Sequence, residues 1–469
     1  MRQFPWPAQI LGKRNHFSSP IIYEPCRRSL SDNHAQPRPH AARDQSRPRG
    51  NKNPSYLLTG LPGGSGPAIR EFERLPEWPR MPPRLVQDRA ATVLQVQDAV
   101  QQEYGYGYKV RPFGSTCYGA DTVESDIDLV ILDPNNPKGF APGAAKKGRI
   151  YNVNHLGKVL RRAGFHVDKV ISKASVPIVK FRHREYNISC DINVNEQLGW
   201  RNTQLLKAYC TTMPLLPYVI RAVKDWAARR KWAPFINSYT MSLMAIGLFQ
   251  AHGALPNLQK GPSTLSPNAP SSVFYSRVSK GPALLCDTRF NHKEEGWLPR
   301  LFLGSQEDAL YLWYRYWGYE HSYLDCAMDI RLGGLVRRHR QYFKDTKYKP
   351  PPTPEEREEN TVDMLRELDE EEVAAAAEEA TEAQGVNEFD EPLTITEGDE
   401  PTAWMQHPLI VRDPFLLMKN CTARLSIPGL QQFQADCRVE ADGLAERLKV
   451  GSSFEVLSKL PPPTPLSTP

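Results

Sequence analysis

The chain has 469 residues, enough for two or three ordinary domains, and a formal net charge of +6. That charge is uneven: nineteen acids and two bases stand between Glu355 and Glu400, so the rest of the chain carries 57 bases against 34 acids. A surface that positive suits a polyanionic partner. The most apolar run, Met241 to Phe249, is too short to span a bilayer. Eight scattered cysteines form no C-x-x-C pair, which argues against a zinc site and fits buried thiols in a reducing compartment.

Residues 1–66 are rich in Pro, Arg, Ser, Gln and Asn, the composition of a disordered basic tail. The first 23 residues lack acids, as in transit peptides, but Pro5, Pro7 and Pro20 interrupt any amphipathic helix. The expected location is therefore cytoplasmic or nuclear. Globular patterning begins at Ala68. The spacing predicts a helix over 86–104 with Ala91, Val93, Leu94, Val96 and Val100 near one face. A strand over 108–113, a Gly-Ser turn and an apolar strand bearing Asp126 and Asp128 follow. A second helix over 151–163 ends at Gly164. Strands are then expected over 165–171, 175–182 and 186–193, the last carrying Asp191. From Glu196 to about His339 the chain reads as mostly helical, with Pro217 opening one helix and Ser238 capping another. A loop is expected over 261–272, an acidic insertion over 347–402, ordered sequence again from Trp404, and a Pro-rich tail from 451. The pattern is α+β: a small mixed sheet with helices, then a helical domain.

The chemistry lies in three acids. On a strand, residues i and i+2 face the same way, so Asp126 and Asp128 project together about 7 Å apart. Asp191 sits between the apolar residues Ile188 and Ile192. An acid on such a strand needs a partner or a metal, and three gathered together repel unless cations neutralise them. Gly114 and Ser115 can lay backbone N–H groups and a hydroxyl against phosphate oxygens. Carboxylates for two divalent ions beside a phosphate cradle meet the needs of nucleotidyl transfer.

Phe113-Gly114-Ser115, ten residues, then Asp126-Ile127-Asp128-Leu129, and a distant Cys190-Asp191-Ile192 resemble the nucleotidyltransferase superfamily with a DNA-polymerase-beta-type fold. The stretches 195–206, 223–230 and 237–244 narrow the resemblance to the cytoplasmic-type poly(A) polymerases and terminal uridylyltransferases. Leu312 to Gly334 resembles their PAP-associated domain, and Ile410 to Asn420 its base-recognition loop. The resemblance implies a palm over 67–194, its N-terminal part packing on the helices, and a PAP-associated domain over 195–346 that resumes over 403–450.

It also implies site roles. Asp126, Asp128 and Asp191 would hold two Mg²⁺ or Mn²⁺ ions and be catalytic, and Gly114 and Ser115 would bind the terminal phosphates. Asn202 and Thr203 would meet ribose or phosphate, Lys224 the triphosphate and Ser238 a phosphate oxygen. Tyr239 would stack on the base, and Asp413 and Lys419 would lie at its edge. Two positions depart from the family pattern. A second lysine expected one turn after Lys224 is Ala228, and the histidine that favours uracil is Lys419. The resemblance thus implies template-independent addition of AMP from ATP to an RNA 3′ end. UTP is the alternative substrate, and an inactive RNA-binding scaffold the alternative of another class. With no RNA-recognition module in the sequence, RNA choice falls to a basic groove, the tail or an adaptor protein. Arg161, Arg162, Lys173, Lys180, Arg182, Arg229, Arg230 and Lys231 are the groove candidates.

Overall fold

The computed structural model of the chain describes residues 72–141, 144, 148–260, 273–276, 283–294, 296–338, 404, 407–417, 419–448 and 456–466. The expected basic tail, the loop over 261–272 and the acidic insertion lie outside these residues.

Helix α1 (Pro83–Tyr104) starts with proline in its first turn, where no N–H is needed, and stops at Gly105, whose φ of 114° suits glycine alone. Its buried face is Arg89, Val93, Val96 and Val100. The 4-3-4 spacing puts Leu94, expected on that face, on the outside at 41% exposure. Strand β1 (Lys109–Phe113) leads through Gly114 into one short turn of helix, α2 (Ser115–Tyr118). A loop then delivers β2 (Ile127–Leu132). Helix α3 (Val153–Arg162) begins at Asn152, whose side chain accepts from the backbone N–H groups of Asn154 and His155. Strands β3 (His166–Ile171), β4 (Ile178–Arg182) and β5 (Ser189–Val194) complete a five-stranded sheet in the order β1-β2-β5-β4-β3. Only β2 and β5 run parallel. One core, built from Val96, Val100, Ile127, Leu129, Leu156, Phe181 and Ile192, fills the space between this sheet and α1 and α3.

The second core is helical. It joins α4 (Leu198–Thr212), α5 (Leu216–Ala227), α6 (Ser238–Ala251), α7 (Gln306–Arg315) and α8 (Ile427–Leu448). Helix α6 is buried on nearly every side, which its continuous apolar run permits. Its N-cap is Asn237 rather than Ser238: the Asn237 side chain accepts from the Thr240 N–H at 2.9 Å, and Ser238 is the first helical residue. Pro217 stands in the second position of α5. That helix stops at Ala227, and the chain then turns to bury Trp232. Trp78, from the segment before α1, sits in this helical core and donates its ring N–H to the Cys210 carbonyl at 3.2 Å. Helix α8 lies against α7 and the π-turn Tyr316–Glu320, with Phe433 among Trp226, Trp232, Trp313 and Trp317.

Two hairpins were not expected from the sequence. They are β6 (Val273–Ser276) with β7 (Leu284–Asp287), and β8 (Cys326–Asp329) with β9 (Gly334–Arg337). β8 bridges Val411, and β9 bridges Leu466 on its other side. Part of the Pro-rich end read as a tail is therefore seated. Arg315 donates to the carbonyls of Leu457 and Leu460, and Leu457 is buried. Among the described residues no helix is long and apolar enough to cross a membrane.

Candidate active site

The parallel register of β2 and β5 sets Asp128 directly opposite Asp191. Asp126 stands two residues upstream of Asp128, just before β2 begins, and is exposed. Burial and the nearby Asp191 raise the Asp126 carboxyl above its ordinary value. Asp128 is held more tightly: burial, then Asp191 and Asp126, push its carboxyl up to about 7. The three acids thus feel one another. Their oxygens do not close into a ready-made three-ligand cluster, and no such His/Cys/Asp/Glu cluster occurs among the described residues.

Beside the acids lies the Gly-Ser turn. Gly114 has φ 81°, and a Cβ built there would collide with Oδ2 of Asp128. Only glycine lets the turn approach the acid this closely. The Gly114 N–H donates to Oγ1 of Thr203 at 2.8 Å, and the Thr203 hydroxyl donates to the Gly199 carbonyl at 2.8 Å. Thr203 is buried and anchors the turn to the helical core. That differs from the substrate contact expected for it, because the hydroxyl is already engaged on both sides.

The helical side supplies the remaining residues. Asn202, half-buried on α4, has an Oδ1 atom that is buried without a hydrogen-bond partner. Such an atom costs stability unless something meets it. Lys224 on α5 acts electrostatically on both Asp126 and Asp128. Ala228 ends that helix. Arg230 is turned to Asp436 and Glu440 and lies over the Trp226 ring. Ser238 is exposed at the start of α6, and Tyr239 follows it. The Tyr239 hydroxyl donates to Oδ2 of Asp413 at 3.4 Å, and Lys419 Nζ lies 3.8 Å from the same oxygen. Burial and Asp413 raise the Tyr239 hydroxyl well above its ordinary value. Burial pulls Lys419 down, but Asp413, with Cys421 and Glu196, more than reverses this.

The loop carrying Asp413 and Lys419 is rigidly built. Asp413 Oδ1 accepts from the N–H groups of Phe415 and Leu416, both at 3.0 Å. Leu416 thus serves the turn through its backbone. Asn420 Oδ1 accepts from the N–H groups of Val411 and Thr422, while its amide N–H₂ meets the Leu409 carbonyl and His407. Arg412 pairs with buried Asp329 on β8 at 3.2 Å.

Sequence reasoning misplaced one site residue. Lys180, assigned to an RNA groove, stands opposite Asp191 in the β4–β5 register and donates to its Oδ2 at 2.8 Å. The pairing follows from the strand register, which the sequence alone does not show. Three other groove candidates also have ion-pair partners, Arg162 with Glu103, Arg182 with Asp168 and Arg230 with Asp436.

Residues 70–211 match the family model described as the central palm domain of mitochondrial-like poly(A) RNA polymerase. Poly(A) RNA polymerase cid13 of Schizosaccharomyces pombe is 30% identical over 263 residues, covering 53% of this chain and 41% of that protein. Poly(A) RNA polymerase GLD2 of Homo sapiens is 31% identical over 162 residues, covering 33% and 34%. In its palm the chain is thus similar to the poly(A) RNA polymerases. The match spans only about two fifths of the length of cid13. The fold agrees over a longer stretch. The solved structure of a cytoplasmic RNA terminal U-transferase superposes with a TM-score of 0.52 at 18% identity, covering 82% of this chain and 95% of that one. A Cid1 poly(U) polymerase mutant bound to MgATP gives 0.51 at 18% identity, covering 81% and 94%.

Proposed function

We propose that this protein is a template-independent RNA 3′-terminal nucleotidyltransferase, a polynucleotide adenylyltransferase that adds AMP from ATP. The observation that carries the reading is the register of Asp128 against Asp191, with Gly114 packed on Asp128 and Lys224 facing the acids. Asp126, Asp128 and Asp191 would hold two Mg²⁺ or Mn²⁺ ions. Their donor set is all carboxylate, as hard cations prefer, and a cation would offset the burial and the like charges that push Asp128 up to about 7. When bound, such ions supply a lowered pKa for an RNA 3′-hydroxyl and charge neutralisation for the departing pyrophosphate.

The chain's own residues position the reactants. The Ser115 hydroxyl and the Gly114–Ser115 turn meet the terminal phosphates, and Lys224 neutralises them. Ser238 takes a phosphate oxygen, and Asn202 Oδ1 accepts from a ribose hydroxyl. Tyr239 offers its ring to the base while its hydroxyl is tethered to Asp413. Asp413 and Lys419 place an acceptor and a donor at the base edge. A carboxylate oxygen there suits the exocyclic amine of adenine and repels the carbonyl that uracil carries in its place. RNA choice is assigned to an adaptor protein, since among the described residues several basic groove candidates are committed to ion pairs.

Purified protein with an oligo(A) primer, Mg²⁺ and each nucleoside triphosphate in turn tests this. ATP-dependent extension that disappears in Asp128→Asn is expected. Strong preference for UTP would overturn the adenylate assignment, and no extension with any nucleotide would favour the scaffold.

A further inference from the structure

The loop between α2 and β2 joins the two halves of the site, because Gly114 and Ser115 precede it and Asp126 and Asp128 follow it. It has no regular structure, and Val123 and Glu124 at its tip are exposed. Beneath it lies a fully buried carboxylate, Asp121. Its Oδ1 meets Arg74 Nη1 at 2.5 Å and its Oδ2 meets Arg89 Nη1 at 2.5 Å. Arg89 also donates to the carbonyls of Thr122 and Ser125 at 2.9 and 3.2 Å. Arg74 donates to the Gly119 carbonyl at 3.1 Å. Ser125 Oγ accepts from the Thr122 N–H at 2.9 Å. The two arginines therefore hold the loop at its entry, at its turn and at the residue before Asp126.

We propose that Asp121 is a positioning residue: through Arg74 and Arg89 it fixes Asp126 and Asp128 at a set separation from the Gly114–Ser115 turn. Burying three charges is costly, and packing alone is served as well by apolar side chains. What the charges add is direction. Each guanidinium is oriented by Asp121 so that its Nη2 group meets loop carbonyls. The arrangement is a support for metal ligands rather than a ligand itself, and losing such supports typically weakens metal affinity ~10-fold or more. This rests on reading the acids as a cation site.

The test uses the full chain, with Mn²⁺ binding followed by the electron paramagnetic resonance of free ion, well below the melting temperature. Asp121→Asn should weaken Mn²⁺ binding ~10-fold and speed amide hydrogen exchange over 119–126. A purely structural role would lower the melting temperature and leave Mn²⁺ affinity in the folded protein unchanged. Should Asp121→Asn fail to fold, Ser125→Ala, which leaves the buried charges intact, should still weaken Mn²⁺ binding. Parent-like Mn²⁺ affinity in whichever variant folds overturns the proposal. A parent that binds no Mn²⁺ overturns the cation site itself, and the two failures are thereby told apart.

Discussion

Replacing Asp128 with asparagine separates what the site costs the fold from what it gives the reaction. Burial, Asp191 and Asp126 hold the Asp128 carboxyl near 7 against an ordinary 3.8. Between those values the native protein keeps a proton that the unfolded chain has released. Stability from this group is therefore fully present below about pH 4 and is lost as the pH rises through 7. Three units correspond to ~4 kcal/mol. Because the acids titrate as a set, removing one charge relieves about half, ~2 kcal/mol. In EDTA at pH 8, Asp128→Asn should melt ~4 °C above the parent, and the gap should close toward pH 4. Mg²⁺ should raise the melting temperature of the parent and leave the variant unmoved. Primer extension by the variant should fall at least ~100-fold. A variant that melts below the parent at pH 8, or a gap that persists in acid, refutes the argument that burial and the neighbouring carboxylates disfavour the charged form of Asp128.

Four further outcomes are expected. Gly114→Ala puts a methyl group onto Oδ2 of Asp128 at a positive φ, a strain of ~1–3 kcal/mol; extension should fall ~100-fold while the melting temperature drops only a few degrees, as steady-state assays and calorimetry can show. Tyr239→Ala should raise the KM for ATP ~10–100-fold if its ring stacks on the base, and Tyr239→Phe much less; equal KM values in all three proteins would remove Tyr239 from the site. Lys419→His should shift the ATP-to-UTP usage ratio toward UTP, and an unchanged ratio would show that this loop does not read the base. Deleting residues 456–469 removes buried Leu457 and the partners of Arg315, which should cost ~2 kcal/mol, read as a lower urea midpoint.

The palm was legible because its signals are local. Apolar runs bearing acids announced β2 and β5, and a Gly-Ser pair marked the turn at Gly114. Boundaries slipped where side-chain capping decided them, as at Asn237, whose amide oxygen takes the Thr240 N–H and leaves Ser238 as the first helical residue. What stayed hidden depends on register. Nothing in the spacing of Lys180 and Asp191 says that the turn between β4 and β5 sets them opposite each other. The hairpin β8–β9 was equally hidden, being two four-residue strands in sequence that also reads as helix-flanking loop. The Pro-rich end misled by composition: prolines remove N–H donors, yet Leu466 still donates to the Leu335 carbonyl and accepts from Arg337 along an edge.

The electrostatics of the site link these hidden pieces to its chemistry. Lys180 approaches the acids from the sheet, and Lys224 from the helices. Burial lowers the Lys180 ammonium, but its bond to Asp191 and the neighbouring acids more than offset this, so it stays charged through the physiological range. Two ammonium groups against three carboxylates leave the cleft net negative, and a triphosphate arriving alone would meet repulsion that Lys224 cannot balance. If the acids hold cations as proposed, nucleotide and cation would therefore favour each other's binding, since each would neutralise the charge that opposes the other. The same arithmetic explains why the acids sit where they do. Asp128 is half-buried beside Gly114, where water screens it poorly and a cation is most valuable, while Asp126 stays exposed at the mouth.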